Sequence, residues 1–499
     1  MKKYKLFAMG LAMAGALSFT SCADDYLDTA PTDAVSNVTI GQNMESLYLG
    51  LNGIHRQMIS QESGYQCMGG LGGMMYIMDI MADDITWLTN TWMKAAYLGW
   101  QCNTNNQNGY NTVFWRLYYQ WIMNANGLLE VLDGTDVSTL SGGDKALYEQ
   151  IRGEALVFRA FSHFQAVQTY ADAYKAGGNN SQPGVPYRTV ENKVDQELAR
   201  SSVEETYAKI NADLAEACSL LEGKNITELN HWSAKSAYAV RARVAMAMQD
   251  YTNAAAYAEK SIQLAEAEGG KLMDASNLMH GFADITTKTN EAMYAAMTQD
   301  DQTIYFYSFY AFMSWNFSAT AIRQGVKAIN ADTYDAMSET DLRRQWWDPT
   351  GEMDVPLSSF KKTKYQNRKF TARDVSNAVG DVAFIRLSEM YLTLAEAYAR
   401  GGNTAKAQEV FTKFQITRDP AYAPSGNLID EIMHSRRIEL WAEGLRYFDL
   451  KRLNLPLKRG RNFDVTFCTF LEKAPGEKGW TWEIPKIETD NNPLCEKNY

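Results

Sequence analysis

The chain has 499 residues, 46% of them apolar, and a formal net charge of −11. That length suits several average domains or one large helical assembly with a sizeable core. The acidic balance argues against nucleic acid and against an anionic membrane surface as partners, since both attract basic surfaces.

At the N-terminus, Lys2, Lys3 and Lys5 precede an uncharged apolar run, Leu6 to Phe19, and then Thr20, Ser21 and Cys22. This is the layout of a secretory signal, and the run is shorter than the roughly 20 residues that a spanning helix needs. LSFTSC at Leu17–Cys22 looks like a bacterial lipobox, so residues 1–21 are expected to be removed and Cys22 to carry acyl chains. Removal takes three lysines and no acid, moving the formal charge from −11 to −14. Residues 22–41 are acidic and polar with a proline, as in a tether. Of the remaining cysteines (Cys67, Cys102, Cys218, Cys468 and Cys495) none forms C-x-x-C, and no disulfide pairing follows from their spacing.

Phe114, Leu117, Trp121 and Leu128 recur at helical spacing in 112–133. Residues 151–174 carry two apolar stripes, as on a helix packed on two sides. Ser201-Ser202-Val203-Glu204-Glu205 offers a capping box ahead of Tyr207, Ile210, Leu214, Ala217 and Leu221, with Gly223 as a stop. Two helical hairpins, 234–264 and 387–416, share a 12-residue interval between small residues, Ala242 to Ala254 and Ala395 to Ala407. Both resemble tetratricopeptide repeats, in which small residues let paired helices approach. Residues 60–112 and 300–380 are rich in Gly, Asn, Thr and aromatics without clear period, and read as ordered loops or irregular lobes. Within them, Gly69-Gly70-Leu71-Gly72-Gly73 reads as a flexible turn, without the lysine of a phosphate loop.

No H-E-x-x-H, G-x-S-x-G or G-x-x-x-x-G-K-[ST] occurs. Asp83-Asp84 could supply one carboxylate for glycoside cleavage, but a second at defined distance is required, and a solvated or helix-capping role is the simpler reading. The run from Arg436 to Arg452 reads as a structural helix with i,i+3 ion pairs Arg436–Glu439, Glu443–Arg446 and Asp449–Arg452.

Four segments, in order, carry a resemblance to a known family. They are the lipobox followed by DDYLDTAP, the pair FWRLYYQWIMNANGLLEVL and IRGEALVFRAFSHFQAVQTYADAY, then RLSEMYLTLAEAYARGGNTAKA with IMHSRRIELWAEGLRYFDLKR, and the ending IPKIETDNNPLCEKNY. The chain resembles the SusD/RagB family of nutrient-binding outer-membrane lipoproteins. The resemblance implies a mainly α fold of tetratricopeptide-like hairpins supporting an irregular ligand lobe, with 42–230 as the N-terminal and 231–499 as the C-terminal region. It implies a lipid-anchored protein on the outer face of the outer membrane. That protein would bind glycan, hand it to a TonB-dependent SusC-like transporter, and need no catalysis, cofactor or metal.

The loops supply candidate ligand contacts. Trp87, Trp92, Trp100 and Asn103 form one cluster, and Tyr305, Tyr307, Trp315 and Asn316 a second. Aromatic faces cover the C–H face of a sugar ring while amides bond its hydroxyls. Three other readings stay open. The same fold could bind peptides, or the chain could be a lipid-anchored glycoside hydrolase. It could also be a scaffold without a small ligand, in which case Trp87, Trp92, Trp100 and Trp315 would all be buried.

Overall fold

A computed structural model describes residues 43–61, 69–88, 97–299 and 308–499. The signal segment, Cys22, the tether, Cys67, Trp92, Tyr305 and Tyr307 lie outside them. Packing divides the chain into Met1–Gly50 and Leu51–Tyr499. Of the first unit the described part is 43–50, which holds the first turns of α1 (Met44–Gln57). The rest concerns the second unit.

The helical stripes become α4 (Gly109–Asp133), α5 (Gly142–Tyr170) and α6 (Val203–Leu221), after the shorter α2 (Gly70–Met81) and α3 (Gln101–Thr104). The two stripes on α5 are explained by its packing on α4 and on α6. Ser202 and Glu205 form the reciprocal capping box at the start of α6, and Gly223, at φ +78°, follows its end. The hairpins are α7 (Ala234–Ala247) with α8 (Tyr251–Ala267), and further on α12 (Leu387–Arg400) with α13 (Thr404–Gln415). Ala242, Ala254, Ala395 and Ala407 are wholly buried, and α8 packs on α12, so the hairpins stack. The fold is mainly α, as the periodicity predicts. Among the described residues no helix is long and apolar enough to cross a membrane.

From 308 to 380 the irregular region becomes short elements around a four-stranded antiparallel sheet. Its strands are β1 (Ile85–Trp87), β3 (Lys327–Ile329), β4 (Trp347–Asp348) and β5 (Gln366–Asn367), in the order β1-β3-β5-β4. Before β3 lie β2 (Ala292–Ala296), α9 (Phe309–Met313) and α10 (Thr320–Arg323); α11 (Ala331–Asp335) follows it. β2 pairs antiparallel with β6 (Val382–Arg386), with irregularities between Ala292 and Ala295.

Three sequence expectations change. The glycine-rich stretch is not a flexible turn. Gly70 to Met81 is one helix with all twelve residues buried, because GLGGMMYIMDIM is apolar on every side and a helix of that kind must be enclosed. Gly70 sits at φ +56°, and a Cβ there would lie 2.1 Å from the Met58 carbonyl oxygen.

The charged run is not one helix. α14 (Leu428–Glu439) ends, the chain turns through Ala442 (φ +66°) and Gly444 (φ +81°), and α15 (Arg446–Arg452) begins. Only Asp449–Arg452 forms as an i,i+3 pair, at 2.9 Å. Arg436 instead reaches Asp449 at 2.7 Å, and Glu439 meets Arg343, Arg386 and Arg418 from elsewhere in the chain. A Cβ on Gly444 would lie 2.7 Å from the Met75 Cα, on a backbone that L side chains rarely adopt. Gly444→Ala is therefore expected to lose ~1–3 kcal/mol, read by urea unfolding.

Asp83 and Asp84 are not solvated. Both are buried; Arg446 Nε donates to Asp83 at 2.7 Å and Arg437 Nη2 to Asp84 at 2.6 Å. Nearby Asp79 is buried beside Asp84 and Glu443, and burial pushes its carboxyl up to about 8. Cys102, Cys218, Cys468 and Cys495 are free thiols and all buried.

Candidate functional site

Four of the proposed ligand contacts are interior. Trp87 is 1% exposed, and on β1 it stands opposite Lys327 of β3 in register. Trp100, at φ +55°, donates from Nε1 to the Met81 carbonyl at 2.8 Å and meets Trp480 edge-on at 5.0 Å. Asn103 donates to the Gly479 carbonyl at 2.6 Å, and its own carbonyl accepts from the Glu483 N–H. Asn316 bonds both ways with the Ala372 backbone, donating to its carbonyl at 3.0 Å and accepting its N–H at 2.8 Å. Trp87 is enclosed as part of the β1–β3 ladder, whereas Trp100, Asn103 and Asn316 use a ring N–H or an amide to satisfy backbone carbonyls of other segments.

Trp315 differs. It is half-buried, held by its backbone N–H on the Phe370 carbonyl at 3.0 Å and by Nε1 on Thr371 Oγ1 at 2.9 Å. It lines a recess with Phe312, Phe360, Lys327, Lys361 and Asn367. The recess encloses ≈280 Å³ including the solvent at its mouth, of which ≈20 Å³ can hold the centre of a water-sized molecule. Phe312, Lys327, Phe360 and Asn367 are buried, so Trp315 and Lys361 are the named residues through which this narrow recess meets solvent.

Its walls explain why these residues meet. Phe312 comes from α9, whose first turn is capped by Ser308 Oγ accepting the Ala311 N–H. Lys327 opens β3 and Asn367 ends β5, and both strands belong to the same sheet. Asn367 also accepts the Lys369 N–H at 2.9 Å. The Leu88 N–H donates to the Val326 carbonyl at 3.0 Å. Sequence reasoning missed Phe360, Lys327 and Lys361. The available signal was the basic stretch FKKTKYQNRKF at 360–370, which has no acid.

A larger cavity, ≈560 Å³, is lined by residues that include Asp172, Tyr174, Lys451 and Trp480. Most of its polar walls are engaged. Lys451 donates to the Gln168 and Ala171 carbonyls, Thr481 to Asp172, Tyr174 to Glu204, and Trp480 Nε1 to Ala474. Trp480 is buried and offers no open face.

Among the described residues, His55, Glu154 and His231 form a group with metal-ligand chemistry, their ligand atoms within 4.8 Å of one another. Hydrogen bonds already occupy it. Glu154 accepts from His55 Nε2 (2.7 Å), His231 Nδ1 (3.0 Å), the Trp232 N–H (2.9 Å) and Gln150 Nε2 (2.9 Å). Despite burial, these donors hold its carboxyl down at about 2. The group reads as a joint between α1, α5 and the 231–232 turn.

For catalysis, Asp83 and Asp84 are committed to arginines, and the described lining of the Trp315 recess contains no carboxylate. What the recess presents to solvent is the half-buried Trp315 ring and the exposed Lys361.

Two family models match. One, described as starch-binding and associating with the outer membrane, covers residues 25–246. The other, described as the SusD family, covers residues 235–499. A SusD superfamily protein of Bacteroides thetaiotaomicron is similar in structure, with TM-score 0.78 and 20% identity over 92% of this chain and 100% of that one. A SusD superfamily protein of Bacteroides vulgatus gives TM-score 0.77 and 18% identity over 91% and 98%. A SusD-like carbohydrate-binding protein of Bacteroides vulgatus gives TM-score 0.76 and 20% identity over 91% and 97%. Curated proteins gave no match.

Proposed function

This chain belongs to the SusD/RagB family, and on that premise we propose that it captures glycans at the outer face of an outer membrane and passes them to a TonB-dependent, SusC-like transporter. The observation that carries the reading is Trp315, a half-buried indole beside a narrow recess walled by α9, β3 and β5. Such a platform covers one face of a sugar ring and leaves the rest of a long chain in water. The lack of a carboxylate in the described lining supports a binder over a hydrolase. The anchor is Cys22, and acylation there would hold the protein at the surface from which the transporter is fed.

Calorimetry of the purified protein against a polysaccharide panel tests the reading. We expect affinity for one glycan class on the order of micromolar to millimolar. Trp315→Ala should weaken it at least about tenfold, ~1.4 kcal/mol. Binding to peptides with none to any glycan would replace the reading, and release of shortened sugars by pure protein would make it an enzyme. Acyl labelling that persists in Cys22→Ala would remove the anchor, and failure to co-purify with a neighbouring β-barrel would remove the transporter.

A further inference from the structure

The proposed glycan site carries a charge pattern opposite to that of the whole chain. Lys327 opens β3 and is only 4% exposed. Its Nζ donates to the Ala321 carbonyl at 2.6 Å and stands 4.5 Å from the centre of the Trp87 ring and 5.7 Å from that of Phe312. An ammonium has three donors, and the hydrogen bond to Ala321 uses one.

Burial alone pushes the amine down, to about 7, with no carboxylate acting to raise it. Lys369, also buried, makes the contrast. Its Nζ has Glu443 at 2.8 Å and the carbonyls of Glu439 and Trp441. A buried cation is costly without a counter-charge, so Lys327 would gain from an anion placed beside it.

The surroundings agree. Lys361 lines the same recess, and Lys362 and Lys364 follow it on the exposed side. Arg323, at the end of α10, has a buried Nε without a hydrogen-bond partner among the described residues. Arg323, Lys327, Lys361, Lys362 and Lys364 come from two separate stretches of chain, and among the described residues none has a carboxylate in ion-pair range. In a protein of net charge −11, a recess lined by Lys327 and Lys361 beside a half-buried indole is a local reversal of field.

We propose that this recess selects anionic glycans, chains whose sugars bear carboxylates or sulfate esters, with Trp315 as the platform and Lys327 and Lys361 as the counter-charges. The inference rests on the glycan-binding reading above and narrows it to a substrate class. Aromatic stacking supplies affinity for any sugar face, and the lysines supply the discrimination.

The test is calorimetry of the full chain, solubilised in detergent, against three chains of matched length: polygalacturonate, dextran sulfate and neutral dextran. At least one anionic polymer is expected to bind ten or more times tighter than dextran, and its affinity should fall as salt is raised from 50 to 500 mM. Lys327→Met and Lys361→Glu should each lower anionic affinity about tenfold, while Lys327→Arg retains it. Should Lys327→Met fail to fold, the surface variant Lys361→Glu carries the comparison. Tighter carboxylate than sulfate binding, or the reverse, names which anion is recognised. Dextran bound as tightly as both anionic polymers, or anionic affinity unmoved in Lys361→Glu and in folded Lys327→Met, overturns the charge selection and leaves the glycan reading standing. No binding to these polymers or to a wider glycan panel overturns both.

Discussion

Glu439→Ala is expected to cost ~3–5 kcal/mol of stability, the magnitude typical of breaking a buried ion pair from one side. Glu439 is wholly buried and faces three guanidinium groups, from Arg343 (3.3 Å), Arg386 (3.0 Å) and Arg418 (3.1 Å). These arginines hold its carboxyl well below the usual carboxylate range, against burial, which would raise it. The wider network joins Arg343, Arg386, Arg418 and Lys369 to Asp341, Glu291, Glu439 and Glu443, so four cations balance four carboxylates. Deleting the central anion leaves three buried guanidinium groups short of charge and hydrogen bonds. Urea unfolding followed by tryptophan fluorescence measures the loss. Lys260→Ala, which breaks the exposed pair with Glu222, is the control and should cost less than about 1 kcal/mol. Equal effects of the two variants would show that the network contributes no more than a surface pair.

His163 should make the protein lose stability in mild acid. It is buried on α5, with its ring stacked on Tyr187 at 3.8 Å. Its neutral tautomer is set by its partners, since Nδ1–H donates to the Arg159 carbonyl at 2.8 Å while Nε2 accepts the Arg188 N–H at 3.1 Å. Protonation would put a second proton where Nε2 must accept. Burial is the main cause that lowers this imidazole, to about 3, and the charges of Arg159, Lys209 and Arg188 add to it. The unfolded chain, with histidine near 6.5, therefore takes up the proton first. Stability is then full above pH ~6.5 and falls as the pH drops from there toward 3, by up to ~1.4 kcal/mol per pH unit for this site. His434, lowered to about 4 by burial and by Arg437 and Arg343, acts in the same direction. His163→Gln keeps a donor and an acceptor without the titration. Its unfolding free energy should depend on pH more shallowly between 6.5 and 4.5, and a slope equal to that of the parent protein would remove His163 as the cause.

Local features were legible wherever a short-range rule acts. The capping box at Ser202–Glu205, the two-sided stripe of α5 and the 12-residue alanine intervals all follow from helix geometry within one segment, and all are present. The order of family-like segments likewise survives in a chain whose fold is shared at about 20% identity. The site was less legible. Trp315, Trp87 and Trp100 have similar polar and aromatic neighbours in sequence, yet one is at a rim and two are enclosed. Lys327 is not legible in the sequence because a single lysine between valine and alanine carries no pattern. Its meaning comes from pairing across the sheet with Trp87.

The sequence by itself determined most of the helical frame and the close pairing within its hairpins, which depend on residues three, four or twelve apart, and the family, which depends on the order of segments along the chain. The tertiary structure alone decided which side chains face water and which charges pair. Asn103 is buried because Gly479 returns to it 376 residues later, and Glu439 finds its arginines at 343, 386 and 418 and not on its own helix. Burial and ion pairing are properties of segments distant in the chain that converge in space, and no local spacing encodes which segments those will be.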